Sequence, residues 1–198
     1  MNWCRSLAAS DHILIHGGVG GVGHVAVQLA KSTGARIATT IPTADAAALA
    51  RSLGADEAIN FREETVAGYV DRITAGHGFD VVFDTIGGDN LRNSFAATAY
   101  EGRVVTTNAR TTQDLSLLQA KALSLYVVFM LLPMLRGTGR ERHGLILRKI
   151  ARLVEEKKVR PLLDESCFTL ETAPDAYRRL VSGKARGKVV IDIAPVSR

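Results

Sequence analysis

Cysteine is scarce: 198 residues contain two, Cys4 and Cys167, far apart in the chain. Neither stands in a Cys-x-x-Cys or mixed Cys/His spacing, so neither a disulfide framework nor a thiolate zinc cluster is indicated. No basic stretch followed by an apolar one opens the chain, which argues against a secretory leader. The most apolar run, residues 123–135, contains Tyr126 and Pro133 and falls short of the roughly 20 residues a bilayer span needs. Internal repeats and low-complexity tracts are absent as well. The formal net charge of +5 leaves acidic partners open, but basic residues cluster only within 136–148 and 178–188. They lack the interleaved aromatics of a nucleic-acid motif. Asp11 and His12 have no nucleophile-elbow serine, so a hydrolytic triad is unsupported. A cytoplasmic protein that binds neither membrane nor nucleic acid is the expectation, and 46% hydrophobic residues suffice for a well-buried core.

What is present is an alternation. Apolar runs suited to strands buried on both faces alternate with amphipathic segments, as in βαβ units with helices on both sides of a parallel sheet. Strands are expected at 13–16, 36–41, 58–61, 81–84 and 103–107, with helices at 22–32, 44–53, 64–74 and 90–99. Gly34 and Gly54 stop the first two helices. From residue 114 the rhythm changes to a helix at 115–122, a buried strand at 123–130 and a long amphipathic helix at 144–156. A helix at 174–182, opened by Pro174, and a terminal strand at 188–193 follow. Residues 138–143, rich in Gly and Arg, read as a linker. The fold class is α/β, a doubly wound parallel sheet.

The run Gly17-Gly18-Val19-Gly20-Gly21-Val22-Gly23 lies between the first strand and the first helix. A Gly-x-Gly-x-x-Gly pattern falls on Gly18, Gly20 and Gly23, in the strand-turn-helix setting a dinucleotide fingerprint requires. There the first glycine permits the tight turn, the second lets a pyrophosphate approach the backbone, and the third lets helix and strand pack closely. The helix N-terminus offers N–H groups and a positive dipole end to the phosphates. A merely structural glycine turn is the plainer alternative, and the setting weighs against it. The second strand ends Ala38-Thr39-Thr40-Ile41, with no acid before Asp45. An acid there would accept from an adenosine 2′-hydroxyl and repel a 2′-phosphate, whereas hydroxyls tolerate the phosphate, so NADP(H) is favoured over NAD(H).

The stretch from His16 through the glycine turn to His24-Val25-Ala26-Val27-Gln28-Leu29-Ala30-Lys31 resembles the medium-chain dehydrogenase/reductase superfamily, specifically its zinc-independent quinone oxidoreductase branch. Leu53-Gly54-Ala55-Asp56, Phe79-Asp80-Val81-Val82-Phe83-Asp84-Thr85-Ile86-Gly87-Gly88, Glu101-Gly102-Arg103-Val104-Val105 and Gly187-Lys188-Val189-Val190 agree in family order. The resemblance implies a metal-free reductase passing a hydride from NADPH to a quinone or to the β-carbon of an α,β-unsaturated carbonyl. It implies a GroES-like catalytic barrel before the nucleotide fold, to which the chain returns afterwards. Here the first strand begins near residue 12, so the expected division is an N-terminal remnant at 1–10, a Rossmann dinucleotide-binding domain at 11–137, and at 138–198 a helix and the C-terminal remnant of the GroES-like catalytic domain.

Carried over by position, the resemblance puts Gly20, Gly21 and Val22, with Gly18, at the pyrophosphate, and Thr39, Thr40 and Thr43 around the adenosine 2′-position. Thr85, Ile86 and Gly87 match the loop along the nicotinamide ribose, and Thr107 and Asn108 the next strand end. Phe129 and Met130 match the segment at the nicotinamide carboxamide, and Lys188 the lysine of the closing Gly-Lys motif. Where many relatives hold the 2′-phosphate with Lys and Tyr, this sequence has Ala46 and Phe61.

No residue presents itself as a catalytic acid or base, and none as a metal ligand. His16 and His24 read as lining the strand end or capping the first helical turn, Asp80 and Asp84 as positioning loops, and Tyr126 as a packed core or interface tyrosine. The run 123–130, as last strand of an open sheet, would present an apolar unpaired edge, which predicts a homodimer through that edge. Three functions remain open: an NADPH-dependent quinone or enone reductase, an NADP(H)-binding module with little turnover of its own, and a subunit completed by a separate barrel-bearing chain.

Overall fold

The computed structural model describes residues 7–193, so Cys4 and most of the short N-terminal piece lie outside the described residues. The chain enters through β1 (His12–His16), turns into α1 (Gly23–Lys31), and steps outward through β2 (Arg36–Ile41), α2 (Ala46–Ser52) and β3 (Glu57–Asn60). Helix α3 (Val66–Thr74) crosses back to β4 (Phe79–Asp84), which pairs on the other side of β1. Helix α4 (Asn90–Ala97), β5 (Thr98–Thr106), α5 (Ser116–Ala120) and β6 (Ser124–Val127) extend the sheet in that direction. The order is β3-β2-β1-β4-β5-β6, with every pairing parallel. This is the doubly wound Rossmann-type fold.

Both faces are covered, which is why the strands are continuously apolar rather than alternating. Ile13, Ile15, Ile37, Ile41, Val81 and Phe83 meet Ala26, Val27, Ala30 and Ala50 of α1 and α2. Leu14, Ala38, Ile59, Val82 and Val104 meet Tyr69, Ile73, Leu91 and Phe95 of α3 and α4. Small alanines on α1 and α2 let those helices sit close to the branched side chains of the sheet.

Beyond the sheet run α6 (Leu132–Arg136), α7 (Glu141–Glu155), β7 (Phe168–Thr169), α8 (Ala173–Val181) and β8 (Ile191–Asp192). β7 and β8 form a two-stranded parallel sheet. Three features depart from the sequence reading. Most of the run 123–130 is not buried: Leu123 packs into the core and Val128 against it, but β6 is exposed throughout, and Phe129 and Met130 follow it in an exposed turn. Apolar character there marks a sheet edge, which reads like a covered strand in one dimension. The linker 138–143 ends early, because residues 141–143 already belong to α7, a helix that buries no residue fully. Of the terminal strand at 188–193, only Ile191–Asp192 is regular, with Lys188 bridging Leu163. No helix among the described residues is long and apolar enough to cross a membrane.

Lys121 closes the C-terminal end of α4. Its ammonium donates to the carbonyls of Phe95 (3.3 Å), Ala96 (2.7 Å) and Thr98 (2.7 Å), where the helix dipole is negative. Replacing Lys121 by Met keeps the stem and removes the donors, and should cost about 1–2 kcal/mol in urea unfolding. An unchanged midpoint would show that water serves those carbonyls equally well.

Candidate nucleotide site

The crossovers from β1 and β4 leave in opposite directions, so a crevice opens at the C-terminal ends of these neighbours. The glycine turn forms one lip. Gly17 adopts the left-handed φ of +73°, and its carbonyl accepts from Gly20 N at 2.9 Å. Gly18 is pressed against β2: a Cβ there would lie 2.0 Å from Thr39 Oγ1. At Gly23 a Cβ would lie 2.1 Å from the Gly17 carbonyl. The tight bend therefore belongs to Gly17, while Gly18, assigned that role from the motif, supplies close packing together with Gly23. Gly20 and Gly21 are less crowded, with no neighbour nearer than 3.2 Å to an added Cβ.

Helix α1 starts directly from this turn with no side chain capping it and no acid in its first turn. Such a terminus is suited to an anion. His24 is buried, and its Nδ1 donates to the Gly20 carbonyl at 2.8 Å, bracing the turn from beneath. Thr39 and Thr40 are buried and already engaged: Thr39 donates to the Ile15 carbonyl (2.6 Å), and Thr40 Oγ1 accepts from Gly17 N (2.9 Å). Of the three threonines placed around the 2′-position, only Thr43 is partly open to solvent.

The opposite lip is the loop after β4. The buried Asp84 carboxylate accepts from the backbone N–H groups of Ile86 and Gly87, each at 2.8 Å, and from Ser94 Oγ at 2.9 Å. Thr85 Oγ1 donates to the His16 carbonyl at 2.8 Å, tying this loop to β1. Gly87, at φ +70°, backs onto Asn108, whose Nδ2 donates to the Ile86 carbonyl at 3.2 Å. Ile86, Thr107 and Asn108 thus stand exposed at adjacent strand ends, and Phe129 and Met130 at the next.

The closing segment completes the first lip from far away in sequence. Gly187 N donates to the Val19 carbonyl at 2.8 Å, and the Lys188 side chain lies beside Gly21. Two residues earlier Arg186 pairs with Asp45, at the start of α2. The Asp45 carboxyl is held below its ordinary range, first by a hydrogen bond from Thr43 and then by Arg186. Arg186 also fixes its own backbone: its N–H donates to Asp164 at 2.9 Å, and Arg179 forks onto the same carboxylate. Burial would push Asp164 up, but the bonds from Arg179 and from the backbone of Arg186 and Ser166 bring it down to about 2. Gln28 joins the returning chain to α1, donating to the Arg160 carbonyl (3.0 Å) and accepting from Arg160 N (2.7 Å). Arg186 and Gln28 escaped the sequence reading. An arginine ahead of Gly187-Lys188 is visible in the sequence, but its partner 141 residues away is not.

Residues 53–191 match the family described as zinc-binding dehydrogenase. The chain belongs to that family. It is a medium-chain dehydrogenase/reductase, a member of a superfamily of oxidoreductases. It is similar to a solved alcohol dehydrogenase superfamily protein from Novosphingobium aromaticivorans, 34% identical with a TM-score of 0.87, covering 94% of this chain and 57% of that one. It is also similar to Escherichia coli quinone oxidoreductase, solved in complex with NADPH: 27% identity, TM-score 0.84, covering 94% of this chain and 58% of that one. A highly reducing polyketide synthase of Emericella nidulans is 32% identical over 195 residues, 96% of this chain and 8% of the synthase. The chain thus spans little more than half of these solved relatives and a small part of the synthase.

Zinc, present in the family's description, finds no fit: among the described residues no group of three or more His, Cys, Asp or Glu could hold a metal ion. A nicotinamide dinucleotide fits better, because the uncapped α1 terminus and the Lys188 side chain meet at the glycine turn, where a pyrophosphate would lie.

His16 closes β1 and is buried beside Asp84, with its Nδ1 3.4 Å from Thr40 Oγ1. Desolvation lowers its pKa to about 4, against the opposing pull of Asp84. A folded-state pKa below the unfolded value means that the unfolded chain binds the extra proton first. The associated stability is therefore complete above about pH 6.5 and is lost as pH falls toward 4, to an extent of order 3 kcal/mol. Chemical denaturation across this window should show the loss in the wild type and a shallower dependence in His16→Gln. Parallel profiles would assign the acid sensitivity elsewhere.

Proposed function

We propose that this chain binds NADP(H) and serves as the cofactor half of a metal-free reductase acting on quinones or α,β-unsaturated carbonyls. The observation that carries the reading is the meeting of an uncapped helix terminus, a glycine turn and Lys188 of the closing segment at the β1–β4 switch point. The NADPH held by the Escherichia coli relative supports the same cofactor here.

Gly20, Gly21 and Val22 would receive the pyrophosphate, with Gly18, Thr39 and Thr40 holding the turn and Thr43 facing the adenosine. Thr85, Ile86 and Gly87, braced by Asp84, would form the floor under the nicotinamide ribose, with Thr107 and Asn108 beside it. Phe129 and Met130, exposed after β6, would flank the carboxamide and exclude water from it. When bound, the reduced nicotinamide supplies the hydride, and the chain's contribution is binding and orientation.

The test is a fluorescence titration with NADPH beside an absorbance assay of NADPH oxidation by phenanthrenequinone or an enone. Binding with oxidation supports the reductase. Binding without oxidation supports the second reading, a module with little turnover of its own. Failure to bind at millimolar NADPH overturns both.

The exposed β6 edge supports a homodimer. Leu125, Tyr126 and Val127 all face solvent, and an unpaired apolar edge invites a second copy. A two-fold axis at the edge would set the two β6 strands antiparallel. Because Val128 N donates to Thr106 on β5, the N–H groups of Leu125 and Val127 point to the open side. Val127→Pro should therefore remove an edge donor while sparing the β5 ladder. In sedimentation at micromolar concentration the wild type should run as a dimer and the variant as a monomer. A monomeric wild type sinks the proposal.

A further inference from the structure

The Asp45–Arg186 ion pair lies at the adenosine end of the proposed cofactor site, and neither charge was placed there by the motif reading. It joins the N-cap position of α2 to the closing segment across 141 residues. Two positions link it to the nucleotide. Arg186 immediately precedes Gly187, whose N–H is bound to the Val19 carbonyl inside the glycine turn. Asp45 stands four residues beyond the end of β2, the strand whose end lies by the adenosine ribose in dinucleotide-binding folds, and is bonded to Thr43.

The surroundings limit what else these charges can do. A cleft of about 600 Å³ beside them is lined by Asp45, Asp164, Arg179, Lys184 and Arg186, among others. Asp164 and Arg179 are committed to each other, and the Asp164 side chain is fully buried. The Asp45 and Arg186 side chains remain partly exposed, at 69% and 35%, so either can exchange its partner for a ligand group.

We propose that Asp45 and Arg186 form the element by which this chain discriminates between cofactors with and without an adenosine 2′-phosphate. The proposal rests on the nucleotide reading above. A 2′-phosphate draws the guanidinium away from Asp45, because a phosphate offers it a bidentate partner of higher charge. The same phosphate is repelled by the Asp45 carboxylate, so the two residues pull in opposite directions and the intact pair mutes both. A cofactor with a free 2′-hydroxyl leaves the pair closed. No local lysine or tyrosine is needed, and Ala46 and Phe61 at the positions noted above are consistent with that.

The two halves make predictions of opposite sign. Titrations of the full chain with NADPH and NADH give a ratio of dissociation constants for the wild type and each variant. Asp45→Asn should shift that ratio toward NADPH by about tenfold, and Arg186→Gln should shift it toward NADH by about tenfold, with NADH affinity nearly constant in both. Arg186→Gln keeps the backbone N–H that serves Asp164, so its melting temperature should match the wild type. Shifts in the same direction, or ratios within about twofold of the wild type for both variants, overturn the discriminator while leaving the nucleotide site intact. Absence of binding of either cofactor by the wild type overturns the nucleotide reading and the discriminator with it.

Discussion

The turn between β1 and α1 has almost no room in it, and the site follows from that crowding. Thr39 is fixed by its bond to the Ile15 carbonyl, so the chain passing over it at Gly18 can carry only a hydrogen. The Gly17 carbonyl imposes the same limit on Gly23. Helix α1 consequently begins directly above the end of β1 and next to β2, with its uncapped N-terminus at the crevice. A side chain at either position would push the helix away and separate the terminus from the strand ends that surround it.

Around this turn, buried polar groups hold loops rather than perform chemistry. Asp84 is fully buried, yet it accepts three hydrogen bonds and so fixes the course of residues 85–87. Asp164 does the same for the closing segment, and Gln28 for the chain returning past α1. A buried carboxylate or amide is tolerable only when so satisfied, and each satisfied one specifies a single loop conformation. The crevice is accordingly lined by loops tied to one another: β1 to the β4 loop through Thr85, the β4 loop to the β5 end through Asn108, and the glycine turn to the closing segment through Gly187.

The surface from the crevice rim outward has a different character. β6 and the turn after it expose Leu125, Tyr126, Val127, Phe129 and Met130, while α7 exposes Leu145, Ile146 and Leu147. Exposed apolar side chains of this kind at β6 support the proposed second copy there. Apolar composition also explains why residues 123–130 read like a core strand. Hydropathy along the chain does not distinguish a strand covered by its own fold from an exposed sheet edge.

The alternation of apolar runs and amphipathic segments determined the order of β1 to β5 and α1 to α4, because side-chain periodicity and glycine stops are local properties. The glycine spacing likewise located the turn, and the acid-free end of β2 raised the question of the cofactor's 2′-group. Tertiary structure alone decided that Gly17 bends the turn while Gly18 packs it, since that division depends on where Thr39 lies. It alone brought Arg186 to Asp45 and Gly187 to Val19, because contacts between such distant residues come from how the closing segment docks on the sheet.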